Sequence, residues 1–130
     1  MRRHADWFRQ AKRKLDSARW DIQGGFYEDA CFSAQQSAEL AAKALLESQG
    51  RIGLGHSVYQ LLQTAGGVPQ DVLAAARLLD RYYIPTRYPN GFPAGAPMDF
   101  YDQPTAEEAV RRAETILGFV GTQLEALRSY

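Results

Sequence analysis

A single cysteine, Cys31, stands in the 130 residues, so no disulfide can close within the chain and no multi-cysteine zinc site can form. It lies among alanines on a helical pattern, which predicts a buried, inert thiol rather than a catalytic one. Histidine is almost as scarce, with His4 close to the start and His56 mid-chain. One well-placed imidazole does not make a Ser–His–Asp arrangement. The Glu-x-x-His pairs that hold two metals in helical bundles are missing. No Walker loop or dinucleotide-binding glycine pattern occurs. No catalytic residue, metal or cofactor is therefore expected from motifs. No apolar run approaches membrane-spanning length, and no apolar signal core opens the chain. A soluble, cytoplasmic protein that avoids the membrane is expected. Lys+Arg and Asp+Glu balance at 15 each, which removes any overall pull toward nucleic acid.

What is present is helical. Residues 1–130 make one domain, long enough to bury a core without covalent staples. From about 5 to 22, Ala5, Phe8, Ala11, Leu15, Ala18 and Ile22 recur at three- and four-residue steps, the mark of one helix face. Gly24-Gly25 ends that run. A longer helix is predicted over 28–48, with Gly50 beyond it and an inner stripe of Ala30, Ala34, Ala38, Ala41 and Leu45. Such small residues let neighbouring backbones approach, which makes this the central helix. A short helix follows over 57–64, with Val58, Leu61 and Leu62 facing inward. Another begins near Pro69 and runs through Val72, Ala76 and Leu79 to Tyr83. Thr105-Ala106-Glu107-Glu108 reads as a capping box opening the last helix. That helix extends to about 128, with Ala106, Ala109, Ala113, Ile116, Val120, Leu124 and Leu127 on one face. Glu107–Arg111 and Glu108–Arg112 are spaced as pairs worth about 0.2–0.5 kcal/mol each. Nothing alternates with period two. The expectation is an all-α, antiparallel up-and-down bundle of about five helices.

The most informative stretch is Leu79–Asp80–Arg81–Tyr82–Tyr83–Ile84–Pro85–Thr86–Arg87–Tyr88–Pro89–Asn90–Gly91. Proline lacks a backbone donor and pushes the preceding residue out of the helical region, so Ile84-Pro85 and Tyr88-Pro89 impose an irregular segment. Five of the six prolines fall between 84 and 104, a loop long enough to be functional or mobile. Rings and guanidinium groups on such a segment suit the gripping of a planar anion. They equally suit a tyrosine-rich plug sealing the bundle end.

The first helix is locally basic, with Arg2, Arg3, Arg9, Lys12, Arg13, Lys14 and Arg19 against Asp6 and Asp16 and with Trp7 and Trp20 interleaved. It has the composition to follow an RNA phosphate backbone, though such runs are more often solvated faces. Trp7 and Trp20 read as core or dimer-interface residues. His56, after Gly53-Leu54-Gly55, reads as a helix cap or a ligand contact.

Three segments taken together resemble the HEPN domain family: 26–46 (Phe26-Tyr27-Glu28-Asp29-Ala30 through Lys43-Ala44-Leu45-Leu46), 55–62 (Gly55-His56-Ser57-Val58-Tyr59-Gln60-Leu61-Leu62) and 83–90 (Tyr83-Ile84-Pro85-Thr86-Arg87-Tyr88-Pro89-Asn90). The resemblance implies a helical bundle that pairs as a homodimer. It also implies similarity to the partner subunits of minimal nucleotidyltransferases in toxin–antitoxin or nucleotide-handling systems. Some family members are metal-independent ribonucleases using an Arg, a short spacer and a His near a late helix. This chain has Arg111 and Arg112 in its last helix but no histidine beyond His56, so the proton-transfer group is absent there. Arg51 and His56 have the spacing but fall after the second helix.

The leading reading is a non-catalytic protein that binds a nucleotide or a nucleotidyltransferase partner. Arg87 serves as the anion clamp, Tyr83 and Tyr88 as stacking surfaces, Asp80 as the group orienting Arg87, and Lys43 and His56 as the other wall. A ribonuclease using Arg51 and His56 is the alternative from the enzyme class. A structural interaction module whose loop only seals the bundle is the third.

Overall fold

The computed structural model describes residues 3–128. Five α-helices follow in order: α1 (His4–Gly24), α2 (Tyr27–Ser48), α3 (Val58–Ala65), α4 (Gln70–Asp80) and α5 (Gln103–Arg128). Two short 3-10 turns, Pro89–Gly91 and Pro97–Asp99, interrupt the long connection before α5. No strand occurs among the described residues. The all-α bundle and its five helices agree with the sequence reading, as does the order of elements.

Gly25 turns α1 into α2. At φ +82° it takes the left-handed conformation that closes a helix, and the Phe26 amide donates back to the Asp21 carbonyl at 2.9 Å. α2 is the central rod, touching α1, α3, α4 and α5. Ala30, Ala34, Ala38 and Ala41 are fully buried along it, so the expected small-residue stripe is where neighbouring helices press closest. Ser37, also fully buried, donates its hydroxyl to the Ala11 carbonyl at 2.7 Å and ties α2 to α1.

Several local expectations give way. α4 stops at Asp80 rather than Tyr83. The chain then turns, and Thr86 donates to the Tyr82 carbonyl at 2.6 Å. α5 opens three residues early, because Asp102 and not Thr105 is its cap: the Asp102 carboxylate accepts the Thr105 amide at 2.9 Å. Hydrogen bonds from Thr105 hold the Asp102 carboxyl below the usual range. Glu107 accepts from Gln103 Nε2 at 2.7 Å, one turn back, whereas Glu108 and Arg112 do pair at 3.8 Å. Ala5 and Leu127 lie exposed at the ends of their stripes. Trp20 is 73% exposed and is no core residue. It stands two positions past buried Ala18, which at 100° per residue carries it about 200° round the helix. Trp7 is only half-covered, beside Leu40.

The long connection is stapled by its own rings. Phe92 stacks on Phe100 with centroids 4.1 Å apart and planes 2° apart, and Tyr101 meets the edge of Tyr82 at 5.9 Å. No described helix is long and apolar enough to cross a membrane.

Candidate functional site

Gln35, Glu39 and Lys43 recur at four-residue steps and therefore share one face of α2. Gln35 is fully buried and Glu39 is 6% exposed. A carboxylate out of water is costly unless its oxygens are occupied, and those of Glu39 are. Lys43 Nζ lies 3.0 Å from Oε2, and His56 Nδ1 lies 3.2 Å from each oxygen. Gln35 Nε2 donates to Oε1 at 3.2 Å and to the His56 carbonyl at 3.1 Å, fixing the imidazole's own backbone. Gln36 Nε2 completes the network by donating to Gln35 Oε1 at 2.8 Å. The Glu39 oxygens accept from Lys43 and Gln35, so the His56 Nδ1 that faces them carries a hydrogen. His56 therefore does not cap α3, as its position in the sequence suggests. Ser57 is the cap, accepting the Gln60 amide at 3.1 Å.

The outer face of the imidazole site is aromatic. His56 stacks on Tyr83 with centroids 4.5 Å apart and planes inclined by 16°. Tyr83 in turn meets Arg87, whose Cζ is 4.5 Å from the Tyr83 ring, 4.6 Å from Phe32 and 5.1 Å from Tyr88. Arg87 Nε donates to the Tyr83 carbonyl at 2.8 Å. That bond pins the root of the guanidinium, while the rings hold its plane. The side chain stays exposed, and its two terminal nitrogens have no hydrogen-bond partner among the described residues.

Asp80 is engaged elsewhere than expected. Its carboxylate accepts the Ser57 hydroxyl at 2.8 Å, the Val58 amide at 2.7 Å and the Tyr59 amide at 3.3 Å. It supplements the α3 cap from across the bundle, because the first amides of α3 have no helical partner. Among the described residues no hydrogen bond joins it to Arg87. The fold thus brings together Lys43, His56, Tyr83, Arg87 and Tyr88, and gives Asp80 a different task.

Two members of the cluster, Glu39 and Phe32, do not stand out as site residues in the sequence. The signal for Glu39 is the polar stripe itself, Gln35–Glu39–Lys43, on a helix otherwise lined with alanine. Phe32 carries no such signal, since a lone ring on a buried helix reads as core.

The other candidates disperse. Arg51 donates to the Thr64 carbonyl at 2.7 Å, and no hydrogen bond joins it to His56 among the described residues. Much of the basic charge on α1 is met locally: Arg3 and Arg9 flank Asp6 at 3.3 and 3.4 Å, and Arg19 bridges Asp16 at 2.9 Å and Glu114 at 2.8 Å. The Glu114 hydrogen bond above all raises the Arg19 pKa. Arg2 lies outside the described residues. Cys31 is fully buried, and burial pushes its thiol up to about 12, the inert state that the sequence predicts. No group of three or more His, Cys, Asp or Glu side chains placed to hold a metal occurs among the described residues.

With this geometry in place, comparison with known proteins is decisive for class. The family model for the HEPN domain matches residues 4–124. The chain belongs to the HEPN domain family. TT1696 from Thermus thermophilus is 44% identical, with a TM-score of 0.91 over 94% of this chain and 98% of that one. ST0689, an archaeal HEPN homologue, is also 44% identical, with a TM-score of 0.83 over 95% and 98%. An HEPN domain protein from Thermotoga maritima is 32% identical, with a TM-score of 0.74 over 92% and 98%. No curated protein matches.

Proposed function

We propose that this chain is a non-catalytic HEPN protein whose Arg87–Tyr83–His56 edge receives the phosphate of a nucleotide, free or presented by a nucleotidyltransferase partner. The observation that carries the reading is the state of Arg87. Its Nε is bound to Tyr83, rings lie against its guanidinium, and its terminal nitrogens are exposed without a partner among the described residues. A fork held in that way loses little freedom when it meets two phosphate oxygens. Beside it Tyr88, 47% exposed, offers a surface for a base. Tyr83 contributes less as a platform than its sequence position suggests, since His56 already lies against its ring.

The reading extends to a two-component system, with the nucleotidyltransferase as the partner in a toxin–antitoxin pair. It takes the chain as a homodimer in the cytoplasm, with Trp20 as an interface residue. Calorimetric titration with ATP, GTP and their mono- and diphosphates tests the core claim. Binding that falls by about tenfold or more in Arg87→Ala supports it, the loss of one charge-assisted hydrogen bond being worth about 1.5–3 kcal/mol. Absence of binding by every nucleotide, or equal binding by the variant, removes it. The ribonuclease alternative is tested with labelled RNA in chelator: cleavage that vanishes in His56→Ala would displace the non-catalytic reading.

A further inference from the structure

Between the start of α1 and the end of α5 lies a cavity of about 240 Å³. Helical spacing builds its two walls. His4, Phe8 and Lys12 recur at four-residue steps on α1, and Leu124 and Glu125 follow Gly121 by three and four on α5, so each set shares one helix face. Gly121 lets the walls close: a β-carbon there would lie 3.2 Å from Phe8 Cζ, so the ring rests against bare backbone. Phe8 and Leu124, the latter buried, give the cavity an apolar floor.

Two opposite charges border that floor without a counterion. Lys12 Nζ lies 5.4 Å from the centroid of the Phe8 ring, and neither Lys12 nor Glu125 takes part in an ion pair among the described residues. Arg9, which also borders the cavity, is already met by Asp6 at 3.4 Å. His4 Nδ1 belongs to the same wall, and it is the one buried side-chain polar atom without a hydrogen-bond partner among the described residues. Turning that ring toward the cavity breaks no hydrogen bond. We propose that this cavity binds a free apolar α-amino acid. It is smaller than the about 300–1,000 Å³ typical of sites for drug-sized ligands, which sets the size of the occupant. A simple carboxylic acid would leave Glu125 unmatched, and a simple amine would leave Lys12 unmatched. A zwitterion answers both. Its carboxylate accepts from Lys12, and its ammonium, with three donors, serves Glu125 and the turned His4 ring. Its side chain lies on Phe8 and Leu124. The cavity shares no residue with the Arg87 cluster, so the inference stands apart from the nucleotide reading.

Calorimetric titration of the full chain with leucine, isoleucine, methionine and phenylalanine is the test, beside the N-acetyl and carboxamide form of each. At least one parent amino acid binds, and blocking either of its charges weakens binding by about tenfold or more. Lys12→Met and Glu125→Gln, both at exposed positions, weaken it by a similar factor. Ala5→Leu fills the cavity from an exposed position with little change in helix propensity, so it abolishes binding while the melting temperature is kept. No binding by any of the four up to roughly 10 mM overturns the site. Equal binding of the charge-blocked forms, or binding unchanged in Ala5→Leu, overturns it as well.

Discussion

The imidazole of His56 hands its Nδ1 hydrogen to the buried carboxylate of Glu39, at 3.2 Å from both oxygens. Lys43 holds the same carboxylate from along the helix at 3.0 Å. One side chain that contacts no solvent to speak of therefore orients both Lys43 and His56. Removing it should cost more than removing either of them. In Glu39→Ala, Lys43 is left as a largely buried cation without its partner, and a loss of about 3 kcal/mol is expected in urea unfolding. Glu39→Gln, which keeps an acceptor for Lys43, is expected to lose less.

Asp80→Ala separates scaffold from site. It removes the acceptor for the Val58 and Tyr59 amides, and the α3 cap should weaken by about 1–2 kcal/mol. Nucleotide affinity measured on the folded variant should match that of the unaltered chain, because Asp80 does not orient Arg87.

Two carboxylates are expected to act in opposite directions with pH. Asp102 has a depressed pKa in the fold, so its contribution is present above its unfolded value near 3.9 and disappears as pH falls through the folded value. Asp102→Asn should flatten the acid limb of a stability–pH curve. Asp21 is raised, by partial burial first and then by Asp29, so its contribution is greatest below the unfolded value and is lost as pH rises through the folded one. Asp21→Asn should therefore raise the melting temperature at neutral pH while leaving it almost unchanged at acid pH. The amide oxygen can still accept from Ser33.

Cys31 should resist thiol reagents such as dithionitrobenzoate in the native state and react at the rate of unfolding. Burial pushes its thiol up to about 12 and leaves it no exposed surface. Rapid native labelling would contradict the packing of α2 against its neighbours.

Much of the bundle is legible in the sequence because apolar spacing is a backbone-scale signal. The stripe Ala30–Ala34–Ala38–Ala41–Leu45 follows from period alone and is buried throughout. Ends are less legible. Thr105 and Glu108 have the spacing of a capping box, yet Asp102 is nearer the helix start and a stronger acceptor. Asp80 is the instructive case. Proximity in sequence suggests Arg87, seven residues on, whereas three donors from α3 across the bundle outcompete it. Only the packing of α3 on α4 reveals that. Glu39 is hidden for a similar reason: its partner His56 is 17 residues away, in a connection whose path the sequence does not specify. Arg87 stands out because proline and tyrosine mark the loop, but the Phe32 ring against it belongs to another helix.

The central claim is that the two terminal nitrogens of Arg87 are held open for a phosphate. Arginine side-chain nitrogen NMR, recorded while ATP is added, reads those atoms directly. The account predicts that the Arg87 Nη signals shift and their exchange slows as the complex forms, with Arg51 and Arg19 signals unmoved. Arg87 Nη signals that stay unchanged at saturating ATP, or that shift no more than those of Arg19, would contradict it.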